Sequence, residues 1–340
     1  NETTVASAMR RVPLEGLSSL GGKGQAIVAL GAGIDPKKSV EVLLHLHGHN
    51  PGYKAAGKST RDESIDRIEQ QIEASGRGQM IGILPQGTGD SSFAPSGSQK
   101  GDKGFDAQAL IDEVLGRLAS ENVLSPKPAV QNVVLSAHSG GGEPLGQMLE
   151  NGKGPQHLGE VALFDAVNYT TPGGKVSVGD ELPRIERWLT KQLDGDLAVL
   201  KGKPSSQARK DYLAHSLRFH AYHSSGGGYA EVHDSKDPKG KHSNDALPAT
   251  PPNGASFIPL ADWLTRWFNT HAAELNDPDA WALFRANYQV VDIGLNQGNH
   301  DQVVGHGELQ SDLKGLPPLQ PKRGPNSGDA DASDDAAAHV

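Results

Sequence analysis

The run Asn132-Val-Val-Leu-Ser-Ala-His-Ser139-Gly-Gly-Gly-Glu-Pro144 constrains the fold more than any other stretch of this chain. Its start is β-branched and aliphatic, as in a buried strand, whereas Glu143 and Pro144 suit the first turn of a helix. Only a tight turn fits between them, with Ser139 at its apex. Such a serine has strained backbone geometry and needs small residues two positions to either side, here Ala137 and Gly141. Gly140 and Gly142 add backbone freedom. A second Ala-His-Ser, at 214–216, runs on into Leu217 and Arg218, so no tight turn forms there and Ser216 is no nucleophile candidate.

The rest of the chain supplies the frame. Short apolar runs read as strands at Gln25–Leu30, Val40–Leu46, Met80–Leu84, Asn132–Leu135, Glu160–Phe164, Arg218–Tyr222 and Tyr288–Ile293. Between them apolar residues recur at helical spacing: Ile65, Ile68 and Ile72; Ile111, Val114, Leu115 and Leu118; Leu260, Leu264, Trp267 and Phe268. Near-continuous apolar strands alternating with helices predict an α/β fold with a mostly parallel central sheet and helices on both faces. Ligands of such sheets bind beyond the carboxyl ends of the strands, where Ser139 lies.

The 340 residues fit one α/β domain over residues 1–315, with 36% hydrophobic residues and 42 glycines for a core. A net charge of −9 gives no electrostatic footprint for nucleic acid, and no apolar run approaches the ~20 residues of a membrane span. With no cysteine there is neither a disulfide framework nor Cys-ligated zinc. The chain starts at Asn1 rather than Met, which fits processing or secretion. Residues 316–340, rich in Pro, Asp and Ala, read as a disordered tail. The polar, glycine-bearing segments Thr171–Leu182 and Asp194–Ser216 suit a small cap within residues 171–216. Gly16–Gly24 is a poor P-loop, since Lys23 is misplaced by one and no Ser or Thr follows it.

On the Ser139 turn the chain resembles the α/β-hydrolase superfamily, and within it serine esterases and lipases. Their nucleophile elbow is Gly-x-Ser-x-Gly, with Ala137 here replacing the first glycine. The resemblance covers roughly Gln25 to Leu309. It implies an α/β-hydrolase fold and acyl transfer to water by a Ser-acid-His triad, acting on a small-molecule or acyl substrate with no cofactor and no metal. It also implies an oxyanion hole of backbone N–H groups, one from Gly140 after the nucleophile. The other would come from the His-Gly loop after the second strand, where His49 matches best.

For the acid, Asp165 follows the strand that should neighbour the elbow strand, and Leu163-Phe164-Asp165-Ala166 is similar to the variant in which lipases use this position. The later position offers Glu231 and Asp234. The base should follow the last strand, where His300 matches and His306 is second. The implied activity is ester hydrolysis, with amide or peptide hydrolysis on the same triad as an alternative. Two other readings remain open. His45, His47 and His49 alternate along a strand and could converge on a metal, as in a metallohydrolase, although His45 also suits a strand end with satisfied hydrogen bonds. A non-catalytic binding module that keeps the fold is the other.

Overall fold

A computed structural model describes residues 9–20, 24–31, 33–48, 64, 66–87, 93, 105–167, 169–170, 177–178, 181–223, 254–293, 303–304 and 307–317. Its centre is a sheet of eight strands: β1 (Arg10–Leu17), β2 (Gly24–Leu30), β3 (Val40–Leu46), β4 (Met80–Gln86), β5 (Val130–His138), β6 (Leu158–Phe164), β9 (Arg218–His223) and β10 (Tyr288–Asp292). The intervening β7 (Tyr169–Thr170) and β8 (Ser177–Val178) form a separate two-stranded pair. The order across the sheet is β1-β2-β4-β3-β5-β6-β9-β10. Only β2 runs against the rest, pairing antiparallel with β1 and β4. This is the α/β-hydrolase sheet that the elbow sequence implies, with β3 and β5 adjacent at its centre.

Alternation along the strands gives the sheet two buried faces. One carries Val42, Leu44, Leu46, Val133, Leu135, Ala137, Val161 and Leu163. It is covered by α2 (Ala107–Ser120), α3 (Gly142–Glu150), α4 (Glu181–Gly202), α6 (Gly254–His271) and α7 (Pro278–Ala286), with α5 (Ser206–Leu213) beside them. The opposite face carries Leu43, Val134, Ala162, Phe164 and Tyr222 under α1 (Ile68–Ser75) and α8 (Glu308–Gly315). Caps fix where the helices start. The Asp106 side chain accepts the Ala109 N–H before α2, and Asp277 accepts that of Ala280 before α7, with Pro278 in the first turn.

Three elements depart from the sequence expectation. β1 extends the sheet by one edge strand. α4 spans much of the segment considered for a cap, and its Ile185, Leu189, Leu193 and Leu200 are fully buried in the main core. At the other end, Leu316 is buried and Arg77 donates to the carbonyls of Leu316 (3.0 Å) and Pro317 (2.8 Å). The chain is therefore held to the fold through Pro317, two residues into the stretch read as a tail. No helix among the described residues is long and apolar enough to cross a membrane.

Candidate active site

Ser139 directly follows β5 and begins a single 3-10 turn, Ser139–Gly141, that runs into α3. Its φ is 49°, in the left-handed region that non-glycine residues seldom occupy. Holding a residue there costs about 1–3 kcal/mol. The strain is offset by burial on either side, since Ala137, Gly141 and Leu145 lie in the interior. Ser139 itself is half-buried.

Crowding explains the neighbouring glycines better than flexibility does. A Cβ on Gly141 would lie 2.3 Å from the Leu46 carbonyl oxygen, and one on Gly142 would lie 1.7 Å from that of Ala166. The turn is thus wedged between the end of β3 and the end of β6. Gly48, after β3, approaches from the other side: its Cβ would lie 2.8 Å from the Ser139 Cβ. The His-Gly loop therefore passes directly against Ser139.

Asp165, at the end of β6, also has its backbone in the left-handed region, at φ 44°. Its position follows from register. His138 pairs with Phe164 in the β5–β6 ladder, so Ser139 and Asp165 leave neighbouring strands at the same level. The Asp165 N–H still donates to the Tyr222 carbonyl (2.9 Å), and the residue is buried. Of the residues singled out in the sequence, Ser139, Gly140 and Asp165 are thus brought together. His300, His306, His49, Glu231 and Asp234 lie outside the described residues.

The alternating histidines are engaged by the protein. His47 Nε2 accepts the Gly87 N–H (2.9 Å), leaving Nδ1 to donate to the Gly48 carbonyl (2.7 Å). His45 contacts Ser136 Oγ through Nδ1 (2.9 Å) and Asp66 Oδ2 through Nε2 (2.8 Å). With both ring nitrogens of both residues occupied, His45 and His47 do not present a ligand set, and His45 is the satisfied strand-end histidine that its position suggested.

Sequence reasoning missed Asp66. It precedes α1, is buried, and faces His138 Nδ1 at 3.0 Å as well as His45. Burial pushes its carboxyl up, but the adjacent His138 and the charge and hydrogen bond of His45 outweigh this and hold it far below the usual carboxylate range. The one available signal was the pair His45 and His138 at the ends of adjacent strands, which calls for a common acceptor.

A second buried cluster lies on β6 and β9, centred on Glu160 and Arg218 toward the amino-terminal ends of those strands, with the Tyr222 hydroxyl reaching it from near the other end of β9. Arg218 donates to Glu160, and Asp312 Oδ1 accepts from His220 Nδ1 (2.7 Å) and from the Tyr222 hydroxyl (2.7 Å). Glu160, His220 and Asp312 are close enough to hold a cation. However, His220 Nδ1 and Asp312 Oδ1 already bond each other, and the permanent charge of Arg218 occupies the same space. The cluster is therefore better described as a buried ion-pair network.

No protein-family model matches the chain, and no curated protein matches its sequence. Solved structures do. FphF, a fluorophosphonate-binding serine hydrolase of Staphylococcus aureus, is 12% identical, with 90% of this chain and 98% of that one covered and a TM-score of 0.43. LpqC, a poly(3-hydroxybutyrate) depolymerase from Bordetella parapertussis, is 14% identical over 89% of each chain, with a TM-score of 0.45. An S-formylglutathione hydrolase from Agrobacterium tumefaciens is 10% identical over 91% of this chain and 97% of that one, with a TM-score of 0.42.

Proposed function

We propose that this protein is a serine hydrolase that cleaves carboxylic esters, with Ser139 as nucleophile, His300 as base and Asp165 as the acid that orients it. The observation that carries the reading is Ser139 itself: a half-buried serine at φ 49°, at the carboxyl end of a central parallel strand and at the start of a helix. Asp165, on the adjacent strand end, supports the lipase-like placement of the acid.

In this mechanism Ser139 Oγ attacks the acyl carbon while His300 takes its proton. The N–H groups of Gly140 and His49 stabilise the oxyanion, a contribution worth ~3 kcal/mol or more per preorganised donor. Collapse of the tetrahedral intermediate expels the alkoxide, which receives the proton back from His300. Water, deprotonated by the same imidazole, then releases the acid and regenerates Ser139. The Asp165 carboxylate fixes the imidazole tautomer and stabilises its cationic form. The tight passage of the Gly48 loop against Ser139 favours this arrangement of donors.

The test is a fluorophosphonate probe followed by peptide mapping. Label on Ser139, abolished in Ser139→Ala together with a ~10⁶-fold loss of turnover, is the expected result. Label elsewhere, or retained turnover in the alanine variant, overturns it. Matched nitrophenyl ester and anilide substrates separate ester from amide specificity.

A further inference from the structure

We propose that Asp66 is a positioning residue for the nucleophile: its carboxylate ties His45 at the end of β3 to His138 at the end of β5, and so holds Ser139 in register with the loop that follows β3. The inference rests on the serine-hydrolase reading and names a residue that the triad does not include.

Backbone pairing alone does not reach the nucleophile from the β3 side. The β3–β5 ladder ends at Leu46 opposite Ala137. The β5–β6 ladder runs one residue further, to His138 opposite Phe164. The side chains continue where the ladder stops. His45 Nε2 and His138 Nδ1 converge on the two oxygens of Asp66 at 2.8 and 3.0 Å. The other His45 nitrogen holds Ser136 Oγ, one register step before the ladder ends. The carboxylate thus grips both strands on the face covered by α1.

This placement bears on catalysis because the space it governs is small. With a hypothetical Gly48 Cβ only 2.8 Å from that of Ser139, there is no slack between the oxyanion loop and the nucleophile. Misplacing reacting groups by about 1 Å can cost ~10²-fold in rate. His138 is covalently next to Ser139, so a shift of its ring is transmitted to a residue already in a strained conformation. Among buried carboxylates, Asp66 also contrasts with Glu160, which is bound by an arginine: here two imidazoles hold the charge, and both come from strands that frame the nucleophile.

The experiment compares the wild type with Asp66→Asn, which keeps the shape and removes the charge, and with His138→Gln, which spares the Asp66–His45 bond. Turnover of a short-chain nitrophenyl ester is divided by the concentration of serine that titrates with a fluorophosphonate. For both variants kcat per titrated site should fall ~10- to 100-fold with KM changed less than about threefold. The two losses should not multiply in the double variant, because they break one tie. A purely structural role would lower the titratable fraction and leave kcat per site at the wild-type value. That outcome overturns the inference while leaving Ser139 in place. Should Asp66→Asn not fold, wild-type kcat per site in His138→Gln overturns the inference on its own. A wild type that takes no label at Ser139 overturns the serine-hydrolase reading and the inference with it.

Discussion

The face of the sheet covered by α1 and α8 buries charge at both ends, but in opposite proportions. At the rim, one carboxylate, Asp66, faces the two imidazoles of His45 and His138. At the foot, Glu160 and Asp312 share one guanidinium, one imidazole and the Tyr222 hydroxyl. The consequence appears in the carboxyl groups. Asp66 is held strongly ionised, whereas burial and the neighbouring Asp312 push Glu160 up to about 8 against the pull of Arg218 and His220. Around these groups the face is apolar, with Leu43, Val134, Ala162 and Phe164 fully buried. The rim network therefore serves geometry around Ser139, and the foot network serves attachment of α8, whose Asp312 carbonyl also accepts from Arg218 (2.7 Å).

The comparison breaks if the rim controls stability or the foot controls rate. The largest effect expected is on rate: Asp165→Asn should lower turnover ~10⁴-fold, since the amide favours the wrong imidazole tautomer, with little change in melting temperature. Glu231→Gln and Asp234→Asn should stay near wild type in the same assay. The reverse pattern would move the acid to the segment after β9 and leave Ser139 untouched.

At the foot the order inverts. Removing the Glu160 carboxyl strands the part-buried Arg218 guanidinium that donates to it, so Glu160→Ala should cost ~3 kcal/mol in denaturant unfolding, with kcat per folded molecule unchanged. The same residue should set the pH response. An acid whose pKa is raised on folding holds extra protons in the native state, so stability falls as pH climbs from about 4.5 to about 8. His220 works in the same direction. Its pKa is raised by Asp312 and Glu160 against the effect of burial, so its stabilisation is present at low pH and lost as pH rises through the folded value. Melting temperature should thus decline across this window in the wild type, and Glu160→Gln should flatten the decline. Asp66 has the opposite sign: its stabilisation is present above the ordinary aspartate value of 3.8 and lost as pH falls below it. A decline unaltered in Glu160→Gln would mean that the foot titrates elsewhere.

The smallest effect concerns the chain end. Deleting everything after Lys322 should change unfolding free energy by less than ~1 kcal/mol, as the composition of that segment implies. Deleting from Leu316 should cost more, because Arg77 would lose two carbonyl acceptors.

How much of this was legible in the sequence depended on how local the signal was. The apolar runs from Gln25 to Tyr222 mark strands because each is largely buried on two faces, and Tyr288–Ile293 is marked by its β-branched residues although it is a partly exposed edge strand. β1 escaped because it is an edge strand with Pro13 in its middle and a single partner, β2, so its burial alternates weakly. α4 escaped because Arg184, Glu186, Arg187 and Lys191 lower its mean hydropathy, although Ile185, Leu189 and Leu193 recur at helical spacing. Ser139 was legible because strand, apex and helix are contiguous. Asp66 was not, because its meaning comes from two histidines on other strands, and only the β3–β5 adjacency brings them together.

The close approaches around Ser139 also say how this site can drift over evolutionary time. Gly141 and Gly142 have φ values of −64° and −66°, ordinary for any amino acid, so their identity is dictated by neighbouring chain rather than by torsion. A saturation library would therefore reject even alanine at 142, where a single methyl meets the Ala166 carbonyl. Released by no local change of dihedral, that position could vary only after β6 and β5 had separated at their tips, which would dismantle the rim on which Asp165 stands. Substrate preference in such a lineage would have to diversify from the loops farther out, with the turn itself frozen.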